Sequence, residues 1–367
     1  MKSELRYGVI GVGSMGREHI SNIKVMGGAV VTAISDPHQP SIEAALEMVP
    51  GAKVFSDHRA LLDSGLIDAV VIATPNDTHA EVLKDALATE LAVFVEKPLA
   101  TTVEDLKSIL SWDEKRSALT WMGLEYRFMP PVTEAIARAK EGEAGKIHQI
   151  SIREHREPFY PKVDSWNRFT ERTGGTLVEK CCHYFNLMDL VIGEQPIRVF
   201  ASGGQSVNHL NENYGGRRAN MLDNAYVILE YASGARGMLD LCMFGEGSFD
   251  KEILTIIGDQ GKIESFLPSQ VVKASRRDSV GNLDNWASGA SRARGSETKI
   301  VHNYDVKYMG HHYGASYIEH TKFRDAILNS TAAEVTLLDG VTSVVTGLAA
   351  HKSINEGRVV EIKELWG

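Results

Sequence analysis

The chain has 367 residues, 43% hydrophobic and 24% charged, a globular balance at a length beyond one ordinary core, which predicts two domains. Its 39 basic and 48 acidic side chains leave a formal charge of −9, which excludes a general nucleic-acid binder, since phosphate backbones are held by clustered positive charge. No apolar run approaches the ~18 residues of a membrane span and no secretory segment opens the sequence, so the expectation is a cytoplasmic protein with no membrane partner.

The first elements carry the strongest signal. An apolar run from Arg6 to Ile10, short enough for a buried strand, leads into Gly11-Val12-Gly13-Ser14-Met15-Gly16 and then a helical pattern. Gly11 permits a tight turn, Gly13 lets backbone approach a pyrophosphate, and Gly16 lets the new helix lie close against the strand. The N–H groups at the helix start, through Ser14 and Met15, together with the helix dipole, then face a diphosphate. The alternative is a glycine-rich turn with no ligand. The next apolar run, residues 29–34, weighs against it by ending in Ser35-Asp36, which puts a carboxylate 20 residues beyond Gly16 where adenosine ribose hydroxyls lie. That carboxylate favours NAD over NADP, whose 2′-phosphate it repels with no arginine immediately after it; a turn cap before Pro37 is the other reading.

Strand and helix patterns then alternate: helix at 40–49, strand at 52–55, a short helix at 57–64 capped by Asp57, strand at 68–74, a helix from near Asp77, strand at 91–95, a helix opened by Thr101 and Thr102, and strand at 119–124. Unalternating apolar runs suit a parallel sheet covered on both faces, so residues 1–125 read as a doubly wound α/β domain with its ligands outside the carboxyl ends of the strands.

After Pro130-Pro131 the pattern changes. A helix at 132–140 leads to alternating strands at 147–153, 198–203, 225–231, 237–244, 252–257 and 261–264, with hairpin connections at 232–235 and 258–261. Residues 279–298, around Trp286, show no period and read as a surface loop or a lid. Helices at 313–329 and 337–356 and a strand at 358–362 end the chain. Residues 126–367 are therefore expected to form an α+β domain around a large, open-faced, mainly antiparallel sheet, whose uncovered face suits a homo-oligomer.

Three groups of residues can do chemistry. Val95-Glu96-Lys97-Pro98 ends the fifth strand, so Lys97 lies at the carboxyl edge of the sheet, where a lysine can stabilise a developing alkoxide; the alternative is a solvated lysine beside Glu96. Gly174-Gly175 leads into a helical pattern on which Glu179 and His183, four apart, share a face, so that a carboxylate can orient an imidazole; such a pair is more often decoration. Tyr126-Arg127, His155, Trp166-Asn167 and His312 sit beside inferred element ends and could line a polyol pocket. Cys181, Cys182 and Cys242 match neither a disulfide framework nor zinc spacing, so they read as reduced thiols and no metal is expected.

These motifs together resemble the glucose-fructose oxidoreductase/inositol dehydrogenase (Gfo/Idh/MocA) family: the glycine loop, Thr74-Pro75-Asn76 followed by Thr78-His79, Glu96-Lys97-Pro98, and Gly-Gly followed by an acid and a histidine four further on. The resemblance runs from Tyr7 to Ile362 and implies a Rossmann domain plus an open-faced α+β domain, bound NAD(H) or NADP(H), and oxidation of a secondary hydroxyl on a sugar, cyclitol or sugar derivative. It implies that Thr74, Pro75, Asn76, His79, Glu96 and Lys97 lie with the cofactor, that Lys97 and His183 act on the hydroxyl, and that a tetramer is one form of the oligomer. Glu179 stands where many members have aspartate, and Asn186 where a second aspartate is common. A redox-assisted glycosidase and a non-catalytic dinucleotide-binding regulator are alternatives within the same fold.

Overall fold

The computed structural model describes residues 4–277 and 296–367. Of the loop expected at 279–298, residues 279–295 lie outside the described residues, and Glu297–Ile300 is strand. In chain order the elements are β1 (Leu5–Ile10), α1 (Ser14–Met26), β2 (Ala29–Ser35), α2 (Gln39–Met48), β3 (Lys53–Phe55), α3 (His58–Leu62), β4 (Ala69–Ile72), α4 (His79–Leu87), β5 (Ala92–Glu96), α5 (Val103–Asp113), β6 (Thr120–Gly123), α6 (Pro130–Lys140), β7 (Ile147–His155), α7 (Thr170–Thr173), α8 (Thr176–Glu179) and α9 (Cys182–Ile192). There follow β8 (Pro196–Gly204), the short β9 (Asn213–Tyr214) and β10 (Arg217–Arg218), β11 (Asn224–Tyr231), β12 (Arg236–Cys242), β13 (Glu252–Gly258), β14 (Gly261–Leu267), β15 (Val271–Arg276), β16 (Glu297–Ile300), α10 (Ala315–Asn329), α11 (Leu337–Glu356) and β17 (Val360–Glu361).

Two units result. The first comprises Met1–Glu125, Tyr160–His183 and Asp305–Leu348; the second comprises Tyr126–Phe159, Tyr184–Tyr304 and Ala349–Gly367. Two stretches within residues 126–367, Tyr160–His183 and Asp305–Leu348, thus pack in the same unit as the first 125 residues. One reason is visible in its core: Phe323 of α10 meets the rings of Tyr7, Phe94 and Trp121 edge-on at 5.6–6.2 Å, burying aromatic surface that periodicity alone could not assign to a partner.

The first unit holds a six-stranded parallel sheet in the order β3-β2-β1-β4-β5-β6. Every residue of β4, β5 and β6 is buried, the signature of strands covered on both faces. The order reverses between β1 and β4, so the crevice for a ligand opens where the glycine loop leaves β1. Asp57 and Thr102 cap their helices as the sequence predicts, accepting the N–H of Arg59 and Asp105.

The second unit is built on a nine-stranded sheet, β16-β15-β14-β13-β7-β12-β11-β8-β17. All its pairings are antiparallel except β7 with β12. Both expected hairpins are present, joining β11 to β12 and β13 to β14; β9, β10, β15 and β16 were not foreseen. Alternation along β11 buries Ala225, Val227 and Leu229 and leaves Tyr226 and Ile228 exposed. In the register, Ile228 stands beside Phe200 of β8 and Met238 of β12, both exposed, so an apolar row crosses three strands on the outer face.

Candidate active site

The glycine loop is built around close approach. Gly11 has φ of 83°, and a Cβ there would lie 2.6 Å from the carbonyl oxygen of Ala73. A Cβ on Gly16 would lie 1.9 Å from the Gly11 oxygen, so only glycine lets α1 start this near β1. At Gly13 a Cβ would meet nothing within 4 Å, which leaves open space over the loop, and no side chain caps the first turn of α1 at Ser14 and Met15. These features fit a dinucleotide pyrophosphate. Asp36 follows β2 and accepts hydrogen bonds from the N–H groups of Val12 and His38, each at 2.8 Å, which ties the loop to β2; each oxygen keeps a lone pair for a further donor.

The Thr74-Pro75-Asn76 turn is held by its neighbours. Asn76 donates to the Thr173 carbonyl, and the His79 ring nitrogens lie 2.7 Å from the Pro98 oxygen and 3.0 Å from the Thr74 oxygen. His79, expected beside the cofactor, is buried with its two ring nitrogens facing these two carbonyls. Glu96 is similarly engaged. Its carboxylate accepts the Lys97 N–H and the ring N–H of His19 at 2.8 Å, and Nδ1 of His19 lies 2.7 Å from Nε2 of His320. Burial alone would raise the Glu96 carboxyl, but the His19 hydrogen bond and the charges of His19 and Lys97 hold it down to about 2.

Glu96 and Gly123 pair at the ends of β5 and β6, so Lys97 and Glu125 emerge at the same carboxyl edge of the sheet. Lys97 Nζ donates to the main-chain oxygen of Glu179 at 3.0 Å. Glu179 thus serves Lys97 through its carbonyl. Nor do Glu179 and His183 share an unbroken helix: a turn at Lys180 and Cys181 separates α8 from α9. A carboxyl also comes to this cluster from the end of β6: Oε1 of Glu125 lies 3.7 Å from Nε2 of His183 and 3.2 Å from Nδ1 of His312.

Electrostatics assign protons in this cluster. Burial works to lower the Lys97 pKa, but Cys182, Glu96, Glu125 and Glu179 outweigh it and raise it, so Lys97 is an ammonium. Burial, with the charges of Lys97 and Lys180, holds His183 well below the usual histidine range, so its imidazole is neutral. Burial and the Glu96 charge push Glu125 up to about 8, and burial pushes the Cys182 thiol up to about 12. The arrangement offers a positive donor, a neutral base and a protonated carboxyl in one buried cluster.

The remaining expected substrate residues divide. Asn167 is fully buried and spends its amide on its own loop, accepting from the Lys162 N–H and donating to the Tyr160 oxygen. Trp166 lies under Lys162 Nζ, 4.9 Å from the ring centroid, and burial with the charge of Lys97 lowers the Lys162 pKa. Tyr126, Arg127 and His155 belong to the second unit, where Tyr126 packs edge-on against Tyr184, Arg127 donates to Asn186 at 2.6 Å and His155 lies 3.2 Å from Asp240. Sequence reasoning missed Glu125, His19, His320 and Lys162. Glu125 could have been found by the rule that found Lys97, since it directly follows the predicted strand at 119–124. Among the described residues no group of three or more His, Cys, Asp or Glu side chains could hold a metal ion, and no helix is long and apolar enough to cross a membrane.

Residues 5–124 match the family model described as "Oxidoreductase family, NAD-binding Rossmann fold", and residues 137–362 match its companion, "Oxidoreductase family, C-terminal alpha/beta domain". A myo-inositol 2-dehydrogenase of Thermotoga maritima is 27% identical over 364 residues, covering 99% of this chain and all of the relative. A scyllo-inositol 2-dehydrogenase (NAD(+)) of Bacillus subtilis is 24% identical over 364 residues, 99% of this chain and 97% of the relative. Among solved structures, a probable dehydrogenase from Thermotoga maritima superposes with a TM-score of 0.77 at 25% identity, covering 98% of this chain and all of that one. A levoglucosan dehydrogenase in complex with NADH and levoglucosan shares the fold at a TM-score of 0.85 and 21% identity, covering 98% of this chain and 99% of that one. With both models matched across nearly its whole length, the chain belongs to the Gfo/Idh/MocA family of NAD-binding oxidoreductases.

Proposed function

We propose that this protein is an NAD-dependent dehydrogenase that oxidises a secondary hydroxyl of a cyclitol or related sugar. The observation that carries the reading is the pairing of a buried Lys97 ammonium with a neutral His183 imidazole in one cluster at the carboxyl edge of the dinucleotide-binding sheet. Removing a hydride from a carbinol carbon requires the hydroxyl proton to leave. Lys97 spends one of its three N–H donors on Glu179 and has others to hold the oxygen and stabilise alkoxide charge. His183 accepts the proton, its neutral form being the one a base requires at neutral pH. Gly11, Gly13, Gly16 and Asp36 would hold NAD, which when bound supplies the hydride acceptor. The Asp36 carboxylate supports NAD over NADP. The inositol 2-dehydrogenase relatives point to cyclitols as the first substrates to try. The row of Phe200, Ile228 and Met238 supports association of copies through the open sheet face.

The test is NADH absorbance with a panel of inositols, free sugars and glycosides, with product analysis alongside. Reduction of NAD by a polyol, slowed by about a hundredfold or more in Lys97→Met, is the expected result. Glycoside cleavage with no net NADH would replace the dehydrogenase reading with the redox-assisted one, and NAD binding without turnover of any compound would favour a regulator.

A further inference from the structure

We propose that Glu125 and His312 form the route by which the proton taken up by His183 leaves the buried site, an inference that rests on the reading of His183 as the base. A single carboxyl oxygen, Oε1 of Glu125, faces both rings, 3.7 Å from Nε2 of His183 and 3.2 Å from Nδ1 of His312. Side-chain exposure rises along the trio, from 1% at His183 and 3% at Glu125 to 18% at His312, so it runs from a sealed end to one that water reaches. A base buried this deeply has to be unloaded before the next turnover, and protons pass only between groups in or near hydrogen-bond reach.

The transfer balances without a co-reactant. The Glu125 carboxyl proton passes to Nδ1 of His312, which releases its Nε2 proton to water. The carboxylate left behind accepts the Nε2 proton of His183, whose other nitrogen has taken the substrate hydroxyl proton. One proton enters at His183 and one leaves at His312, each ring ending in its other tautomer and returning to the first by a turn of the ring before the next turnover; the two electrons depart separately with the hydride. The surroundings favour this traffic. Glu96 and Lys97 face the trio from the end of β5, Lys180 and Cys182 from where α8 gives way to α9, and His311 from beside His312, while Glu179 acts on Lys97. Burial, with the charges of Lys97 and Lys180, holds both histidines well below their usual range, so neither ring retains an added proton, while burial and Glu96 raise Glu125 and make its carboxyl the resting place of the proton between them.

The test compares wild type, Glu125→Gln and His312→Gln across pH, at low and high concentrations of imidazole as a diffusible proton carrier. Glu125→Gln is expected to lower kcat by about tenfold to a hundredfold with KM and NAD affinity held within about twofold, because an amide of the same shape cannot relay the proton. His312→Gln is expected to lose turnover that imidazole restores. Wild-type kcat and pH profile in Glu125→Gln, or His312→Gln turnover that equals wild type without imidazole, would overturn the relay. Nitrogen NMR of the ring resonances in the cofactor-free protein separates this inference from the functional reading: Glu125→Gln should shift the titrations of His183 and His312 together. If wild type oxidises no polyol, the base assignment falls; if both titrations are unmoved, the relay falls.

Discussion

Replacing Gly16 with alanine builds a Cβ 1.9 Å from the Gly11 carbonyl oxygen, where ordinary contact begins at 3.4 Å, so α1 has to back away from β1. Overpacking of this kind costs about 1–3 kcal/mol. At about 2–4 °C per kcal/mol for a domain of this size, Tm should fall by about 2–12 °C. Gly13→Ala is the contrasting variant: the new methyl meets nothing within 4 Å and the residue already has φ of −63°, so cofactor-free stability should change by less than about 1 kcal/mol. The open space it fills is where the loop backbone would approach a pyrophosphate, so NAD affinity should drop by about tenfold or more, equivalent to at least about 1.4 kcal/mol. Differential scanning fluorimetry with and without NAD, combined with titration calorimetry, reads both quantities. Gly13→Ala that binds NAD as wild type does would refute the assignment of the loop, and Gly16→Ala that melts with wild type would refute the packing argument.

Lys97→Met and His183→Ala should each lower turnover on a verified substrate by about a hundredfold to ten-thousandfold with NAD affinity near wild type, whereas Glu179→Gln should do much less, because it leaves in place the carbonyl that holds Lys97. Asp36→Ala should narrow the preference for NAD over NADP in paired binding titrations, and a wild-type preference for NADP would contradict the role given to Asp36. Glu125, with its carboxyl raised from 4.5 to about 8, keeps a proton on folding that the unfolded chain releases, so its contribution is full below pH 4.5 and is lost as pH rises through about 8. Chemical denaturation across that window should show wild type losing stability relative to Glu125→Gln, at no more than about 1.4 kcal/mol per pH unit; parallel curves would count against the buried proton. Ile228→Arg places a charge in the row with Phe200 and Met238 and should convert an oligomer to monomers by light scattering, a result precluded if wild type is itself monomeric.

Local sequence signals determined a good deal. The apolar runs at 68–74 and 91–95 marked central parallel strands because such strands are buried on both faces, and G-x-G-x-x-G after such a run marked the dinucleotide loop because each glycine answers a steric demand within a few residues. Lys97 was legible from its place just past a strand end. What only the tertiary structure decided are the pairings between groups far apart in the chain. That Glu125 would meet His183 and His312, that Lys97 would bond the Glu179 carbonyl 82 residues away, that His19 and His320 would stand behind Glu96, and that α10 would pack in the first unit all depend on where chain segments return in space. The expected Glu179–His183 helix face shows the limit. Spacing of four implies neighbours only on a continuous helix, and the turn at Lys180 and Cys181 removed that condition, while the end of β6 brought Glu125 to 3.7 Å from the His183 ring, a meeting that no local spacing encodes.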